Sequence, residues 1–372
     1  MKKLRAGILG ATGSAGMEFV NALYDHPWLE IDGLHASPKN AGKPFSEATT
    51  FDTGHLPEGI KNRTVRSLGE IGSDYDVICS ALPSDIARDV EGECARHTPV
   101  ISTTSAYRYE SDVPIIITEI NSDHYRLIEA QRRRGWNGWV APGPNCTTVG
   151  LVMSLHPLHQ ALGIRRVYMS SSQAVSGGGY SLLRRWESQR MPELPEPVRS
   201  YEPIEIRGDV RVEGNVIGHI PKEEEKVQTE TGKILGNYRE GMVVPADFEI
   251  ECLCSRVPVV DGHYEAVFVE TEKSCSAEGA AELYESANER NRDRFGSLPS
   301  SPRQTFYVLD RPPMPLYDAY IGGGMSVAVG RIQETPHGLK YQVLSNNVVK
   351  GAAKGMVQVA EYLASIGFLE AK

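Results

Sequence analysis

Six cysteines are scattered through the 372 residues, at positions 79, 94, 146, 252, 254 and 275, and the surroundings of one of them suit nucleophilic chemistry. Their spacing is neither that of a disulfide framework nor the paired CxxC of a zinc ribbon, so most are expected to be free thiols acting as small buried hydrophobes. Cys146 differs, because it lies in Pro144-Asn-Cys-Thr-Thr148, after a Trp-, Gly- and Pro-containing segment and before the apolar run Val149 to Leu155. Where a loop turns into a helix, the helix N-terminus favours a thiolate, whereas an ordinary thiol is mostly protonated at neutral pH. Downstream, Cys254-Ser-Arg-Val-Pro-Val-Val-Asp-Gly-His263 sets Arg256 and His263 seven residues apart around an expected strand and turn. Imidazole transfers protons near neutral pH, and a guanidinium offers a fork to a carboxylate. A zinc site built from Cys252, Cys254 and His263 has no evident fourth ligand, and no metal is expected.

A second motif stands at the start of the chain. Gly10-Ala-Thr12-Gly13-Ser14-Ala15-Gly16 follows a strand-like LRAGIL and precedes a helical stretch. In that arrangement backbone N–H groups at a helix N-terminus receive a pyrophosphate, and the glycines allow the tight turn and close approach. After the next expected strand, where an NAD enzyme places a carboxylate on the ribose, the chain reads His35-Ala-Ser37-Pro-Lys39. A hydroxyl at Ser37 and a cation at Lys39 suit a 2′-phosphate, so NADP is favoured over NAD. A thiol, an imidazole and a nucleotide site together point to covalent acyl chemistry followed by hydride transfer.

These pieces occur in a recognisable order. Pro-Asn-Cys-Thr-Thr, Gln173-Ala-Val-Ser-Gly-Gly-Gly179, the Glu-Glu-Glu-Lys run from Glu223 to Lys226, and Arg256 to Gly-His263 succeed one another, with Ser80-Ala-Leu-Pro-Ser84 before them and Gly324 to Arg331 and Gly351-Ala-Ala353 after. In this the chain resembles the aspartate-semialdehyde dehydrogenases, above all their archaeal and fungal branch, over essentially its whole length. The resemblance implies that Cys146 is the nucleophile, His263 the acid/base and Gln173 the residue orienting the reacting carbonyl. It implies substrate contacts from Asn145, from Arg256 to the α-carboxylate, from Arg108 and Lys226 to the phosphate, and from Glu223 to the ammonium. It further implies cofactor contacts from Ser80, Ala81, Leu82, Pro83, Ser176, Gly177 and Asn347. The expected reaction is reductive dephosphorylation of 4-aspartyl phosphate through a Cys146 thioester, in a homodimer or homotetramer. Tyr264 after the histidine, Glu251 before Cys252, the Met314-Pro-Leu316 stretch without an arginine, and Asn347-Val-Val-Lys350 depart from the family pattern. The rival readings are a malonyl-CoA or other acyl-CoA reductase, which needs no ammonium-binding glutamate, and a non-catalytic nucleotide-binding or redox-sensing protein.

Elements able to position these groups are visible in the hydrophobic pattern. The first third alternates short apolar runs with helical stretches, with strands over Leu4 to Leu9, Ile31 to Ala36, Val77 to Ser80 and Val100 to Ser102 and a helix over Ser14 to Tyr24, as a doubly wound parallel sheet requires. Beyond Val149 the runs Arg166 to Gln173, Phe248 to Arg256, Tyr264 to Glu270 and Met325 to Arg331 carry period-two features that fit a mixed or antiparallel sheet. Residues 178–215, rich in Pro, Glu and Arg, are expected to form a surface excursion or oligomer contact. Val349, Ala352, Ala353, Met356, Ala360 and Leu363 fall at helical spacing on one apolar face. The expected fold is α/β, with a Rossmann-like NADP-binding domain over 1–148 that, as the resemblance implies, is completed by a C-terminal helix at about 345–372. An α/β catalytic and dimerisation domain with a mixed sheet occupies 149–344. The net charge of −9 leaves no electrostatic footprint for nucleic acid or an anionic membrane, and the chain has no run of eighteen apolar residues and no signal-peptide core. A cytoplasmic enzyme acting on a small acyl phosphate or aldehyde, with phosphate as co-substrate, is expected.

Overall fold

The computed structural model describes residues 2–190 and 210–372. Two six-stranded sheets organise the chain. The first is parallel throughout, and in chain order its strands are β1 (Leu4–Leu9), β2 (Leu29–Ala36), β3 (Arg66–Ser67), β4 (Val77–Ser80), β5 (Val100–Ser102) and β6 (Val140–Pro142). Their spatial order is β3-β2-β1-β4-β5-β6. Helices cover both faces. One face packs Ile8, Leu34 and Ala36 with Phe19 and Val20 of helix Ser14–Leu23 and with Met356, Val357 and Ala360 of helix Ala353–Ser365, while the other packs Ile78 and Val100 against Ala87 and Ala95 of helix Ser84–Ala95. With both faces buried, the strands read as continuous apolar runs, which is why they were visible in the sequence. The C-terminal helix thus packs its apolar face as the spacing predicts and returns to the first sheet as the resemblance implies, although Val349 and Ala352 lie ahead of its first turn at Ala353.

The second sheet is mixed, in the order β10-β7-β11-β14-β13-β12. Its strands are β7 (Ile164–Gln173), β10 (Glu249–Arg256), β11 (His263–Thr271), β12 (Phe306–Leu309), β13 (Val327–Thr335) and β14 (Gly338–Ser345), and a separate hairpin of β8 (Asn237–Arg239) and β9 (Met242–Val244) stands apart. Helices Cys146–Leu162, Glu223–Ile234 and Ala277–Phe295 cover one face of this sheet only, around Val152, Leu155, Val167, Cys254, Val267 and Tyr284. Helix Cys146–Leu162 is buried on almost every side, which explains why Val149 to Leu155 reads as an apolar run interrupted only by Gly150 and Ser154.

The stretch after Gly178 departs in part from expectation. It begins as helix Gly179–Gln189, whose Trp186 is buried against Val175 and Val212 in a small core of its own. Burial of that indole draws this part of the expected surface excursion into the fold, while residues 191–209 lie outside the described residues.

Candidate active site

The strand registers decide which side chains meet. In the parallel sheet Leu9 pairs with His35 and Ser80, Ser80 with Ser102, and Ser102 with Pro142, so five loops leave one carboxyl edge. Ligands bind outside that edge in open α/β sheets. The loop leaving β6 is Gly143-Pro144-Asn145, and the next residue, Cys146, opens helix Cys146–Leu162. Asn145 caps that helix, its side-chain oxygen accepting from the N–H groups of Thr147 at 2.9 Å and Thr148 at 3.2 Å. The second sheet delivers the partners. Arg256 at the end of β10 lies beside Gln173 at the end of β7, and His263 at the start of antiparallel β11 reaches the same edge opposite Ser345.

Cys146 Sγ lies 3.3 Å from His263 Nε2. The other ring nitrogen, Nδ1, accepts from the Ala174 N–H at 3.2 Å, so the neutral ring carries its proton on Nε2, facing the sulfur. Burial and the Arg256 charge push the His263 pKa down to about 3, and the ring is neutral at working pH. Burial and the Glu223 charge push the Cys146 thiol up to about 12, against the opposing pull of Arg256 and Arg108. Gln173 is fully buried, its Nε2 donating to Ser171 Oγ at 3.2 Å while its Oε1 has no partner. Arg256, also buried, donates from Nη1 to the Ala174 carbonyl at 2.7 Å. Gly177 seals the group, since a Cβ on it would lie 2.7 Å from Arg256 Nη1 and 2.9 Å from His263 Cε1.

Opposite them, helix Glu223–Ile234 presents polar side chains to the same cleft. Glu223 accepts from Asn145 Nδ2 at 2.9 Å and Thr147 Oγ1 at 3.2 Å, and Lys226 Nζ lies 3.5 Å from its other oxygen. The expectation that Glu223 and Lys226 share a face, being three residues apart, holds in the geometry. Arg108 is buried, and another carboxylate on that helix, Glu230, pairs with it at 3.1 Å. Sequence reasoning missed Glu230. The available signal was its position seven residues after Glu223, which returns it to the same helix face.

The nucleotide end of the cleft is set by the turn after β1. Gly10 has φ +74°, and a Cβ on Gly16 would lie 2.0 Å from the Gly10 carbonyl oxygen, so the backbone fills space a side chain would need. Gly13 caps helix Ser14–Leu23 without any side-chain hydrogen bond, leaving the first-turn N–H groups for an anion. That cradle fits a pyrophosphate. Ser14, Ala15 and Leu82 line the cleft, as do Ser176, Gly177 and Asn347, whose Nδ2 donates to Ser176 Oγ at 2.9 Å. Thr12 is tied by its hydroxyl to Asn40 Nδ2 at 3.0 Å, which joins the turn to the loop bearing the exposed Ser37 and Lys39. Ala81 packs its carbonyl against Gly10, and Pro83 starts helix Ser84–Ala95. Ser80 is the exception among the expected cofactor residues, since its hydroxyl is buried and donates to Glu91 at 2.7 Å, leaving only its backbone for a ligand. Phe51 and Tyr180, their ring centroids 4.7 Å apart, close part of the cleft from opposite sides. No sequence signal links two aromatics so far apart in the chain.

Two of the family departures turn out to lie away from the reacting groups. Tyr264 alternates with His263 along β11 and points to the opposite sheet face. Lys350 is buried in an ion pair with Glu119 at 2.6 Å and a hydrogen bond to Gln358 at 2.7 Å, fastening the C-terminal helix.

Comparison with known proteins agrees with this geometry. Residues 5–128 match the model of the semialdehyde dehydrogenase NAD binding domain, and residues 155–350 that of the semialdehyde dehydrogenase dimerisation domain. An aspartate-semialdehyde dehydrogenase of Archaeoglobus fulgidus is 39% identical, with 96% of this chain and 97% of the relative covered. The crystal structure of aspartate semialdehyde dehydrogenase with NADP from Candida albicans superposes with a TM-score of 0.82 at 30% identity, covering 99% of this chain and 100% of that one. A malonyl CoA reductase (NADP) of Metallosphaera sedula is 31% identical, with 98% or more of each chain covered. Nucleotide turn, cysteine–histidine pair and whole-length similarity converge, and the chain belongs to the semialdehyde dehydrogenase family.

Proposed function

We propose that the protein is an NADP-dependent aspartate-semialdehyde dehydrogenase that converts 4-aspartyl phosphate to aspartate semialdehyde through a thioester on Cys146. The observation that carries this reading is the Cys146–His263 contact of 3.3 Å at a helix N-terminus, in a cleft that also holds Arg256, Glu223 and the nucleotide turn. Charge complementarity assigns the rest: Arg256 pairs with the α-carboxylate, Glu223 with the ammonium, and Arg108 and Lys226 with the phosphate. A substrate ammonium seated on Glu223 offsets one of the two causes that raise the Cys146 pKa, so substrate itself favours the thiolate. The thiolate attacks the acyl carbon, the bond to the phosphate oxygen breaks, and inorganic phosphate leaves along Arg108 and Lys226. Bound in the cleft, NADPH supplies the hydride that reduces the thioester. The His263 Nε2–H stabilises the oxyanion so formed and then faces the sulfur expelled as the carbon–sulfur bond breaks. Residues 1–148 with the C-terminal helix carry the cofactor in this reading, and 149–344 carry catalysis and dimerisation.

The test compares two substrates and one variant. The wild-type protein is expected to reduce NADP with aspartate semialdehyde plus phosphate and to leave NADPH unoxidised with malonyl-CoA. Glu223→Gln should lower kcat/KM for aspartate semialdehyde by an amount equivalent to roughly 2–3 kcal/mol, the cost of an unpaired ammonium, while an analogue lacking the amine is little affected. Oxidation of NADPH with malonyl-CoA, together with an unchanged substrate ratio in Glu223→Gln, would make the acyl-CoA reductase the better reading.

A further inference from the structure

Glu230 is fully buried and uses both of its carboxylate oxygens. One accepts the backbone N–H of Asn145 at 2.5 Å, immediately before the nucleophile. The other accepts Arg108 Nη1 at 3.1 Å and the Tyr109 hydroxyl at 3.4 Å. Arg108 is held a second time, from Nη2 to the Thr103 carbonyl at 3.1 Å, and its Nε remains without a partner. One turn further along the same helix, Lys233 Nζ donates to the carbonyls of Arg108 at 2.7 Å and Glu110 at 2.8 Å. Both ends of Arg108 are therefore fixed to the helix that also carries Glu223 and Lys226.

A carboxylate beside an anion-binding arginine needs an explanation. Judged by Coulomb attraction alone, Glu230 weakens the pull of Arg108 on an incoming phosphate. What it supplies is direction, because a guanidinium has five donors in a fixed fork, and holding two of them sets where the others point. The same carboxylate also sets the height of Asn145, and through it the start of the helix bearing Cys146. Resting on the assignment of Arg108 to the phosphate, we propose that Glu230 is a positioning residue that holds the phosphate arm and the nucleophile in one fixed relation, so that the leaving oxygen and the attacking sulfur sit on the same acyl carbon.

This gives the variant a definite sign. If Glu230 only compensates charge, Glu230→Gln frees Arg108 and tightens phosphate; if it directs the guanidinium, phosphate binds more weakly. Glutamine keeps an oxygen for the Asn145 N–H while it removes the charge opposite Arg108. With aspartate semialdehyde, NADP and varied phosphate, Glu230→Gln should raise the phosphate KM and lower kcat, with a combined loss in kcat/KM for phosphate of about tenfold or more. The Kd for NADP and the Tm should stay near wild type, and the double variant with Arg108→Ala should be no worse than Arg108→Ala alone. Glu230→Asp, which keeps the charge but withdraws it by one methylene, should move the same parameters the same way, and it serves if the glutamine variant fails to fold. A phosphate KM that falls or stays constant in these variants, or losses that multiply with Arg108→Ala, overturns the proposal. An Arg108→Ala variant with unaltered phosphate kinetics overturns it by a distinct route, because then the assignment of Arg108 itself has failed.

Discussion

The proton on His263 Nε2 settles what the cysteine–histidine pair can do in the free protein. Because Nδ1 accepts from Ala174, the ring facing the sulfur is a donor and does not take the thiol proton in this state. The thiol, raised to about 12 by burial and by Glu223, gives its proton to solvent, and a substrate ammonium on that glutamate lowers the cost of doing so. A thiol with a raised pKa is protonated below it, and its thiolate fraction grows about tenfold per pH unit on the way up. Alkylation of Cys146 by iodoacetamide in the free protein should therefore climb steadily from pH 6 to 9 without a plateau, and show no inflection near 6.5, since His263 lowered to about 3 stays neutral throughout. A plateau reached by pH 7 would show a thiolate already formed. Cys146 was legible in the sequence because a loop followed by an apolar run marks a helix start, whereas Asn145 entered through the resemblance and its role as cap is visible only in the fold. Glu230 was not legible, because its partners Arg108 and Asn145 are brought to it only by the tertiary fold.

Four strand ends and one helix start make the site, and each element fixes its side chain by register. Gln173, Arg256, His263 and Ser345 reach one edge because β7 and β10 run parallel while β11 runs against them. Over that edge the Val175–Gly178 turn lays Gly177 against Arg256 and His263. Gly177→Ala should displace Arg256 and His263 by several tenths of an ångström and lower kcat by on the order of 10²-fold, with little change in Tm, as steady-state kinetics beside a thermal melt will show. Wild-type kcat in that variant would mean the turn moves freely. Strands with a strong apolar character, such as β1, β4 and β5, could be read to the residue. β3 and β6 could not, because β3 is the polar pair Arg66–Ser67 and β6 ends on Pro142, a residue that argues against a central strand, and Ala277–Phe295 is mostly polar along its length.

At the scale of the molecule, the two sheets differ in how they are covered. The first has helices on both faces, whereas the outer face of the second leaves Tyr168 43%, Phe268 50% and Leu253 65% exposed, with Tyr168 and Phe268 paired across β7 and β11. Apolar side chains grouped on an open sheet mark a surface that meets another protein, and the matched dimerisation model spans these strands. A dimer closed through this face should become monomeric on Leu253→Glu with Phe268→Glu, which light scattering will show, and a variant that remains dimeric places the contact elsewhere. Composition speaks to charge alone and gives no electrostatic footprint for nucleic acid, but the open face could not be read, since its alternating pattern looks the same whether water or a second sheet lies above it. In the proposed mechanism cofactor and thiol meet in the cleft between the two sheets and react through a covalent thioester. Its most direct test is the intact mass of the protein after mixing with aspartate semialdehyde and NADP without phosphate. A single aspartyl adduct on Cys146, discharged by adding phosphate and absent in Cys146→Ala, is the predicted result. No adduct in the wild type, or turnover in Cys146→Ala within about tenfold of it, would contradict the thioester mechanism.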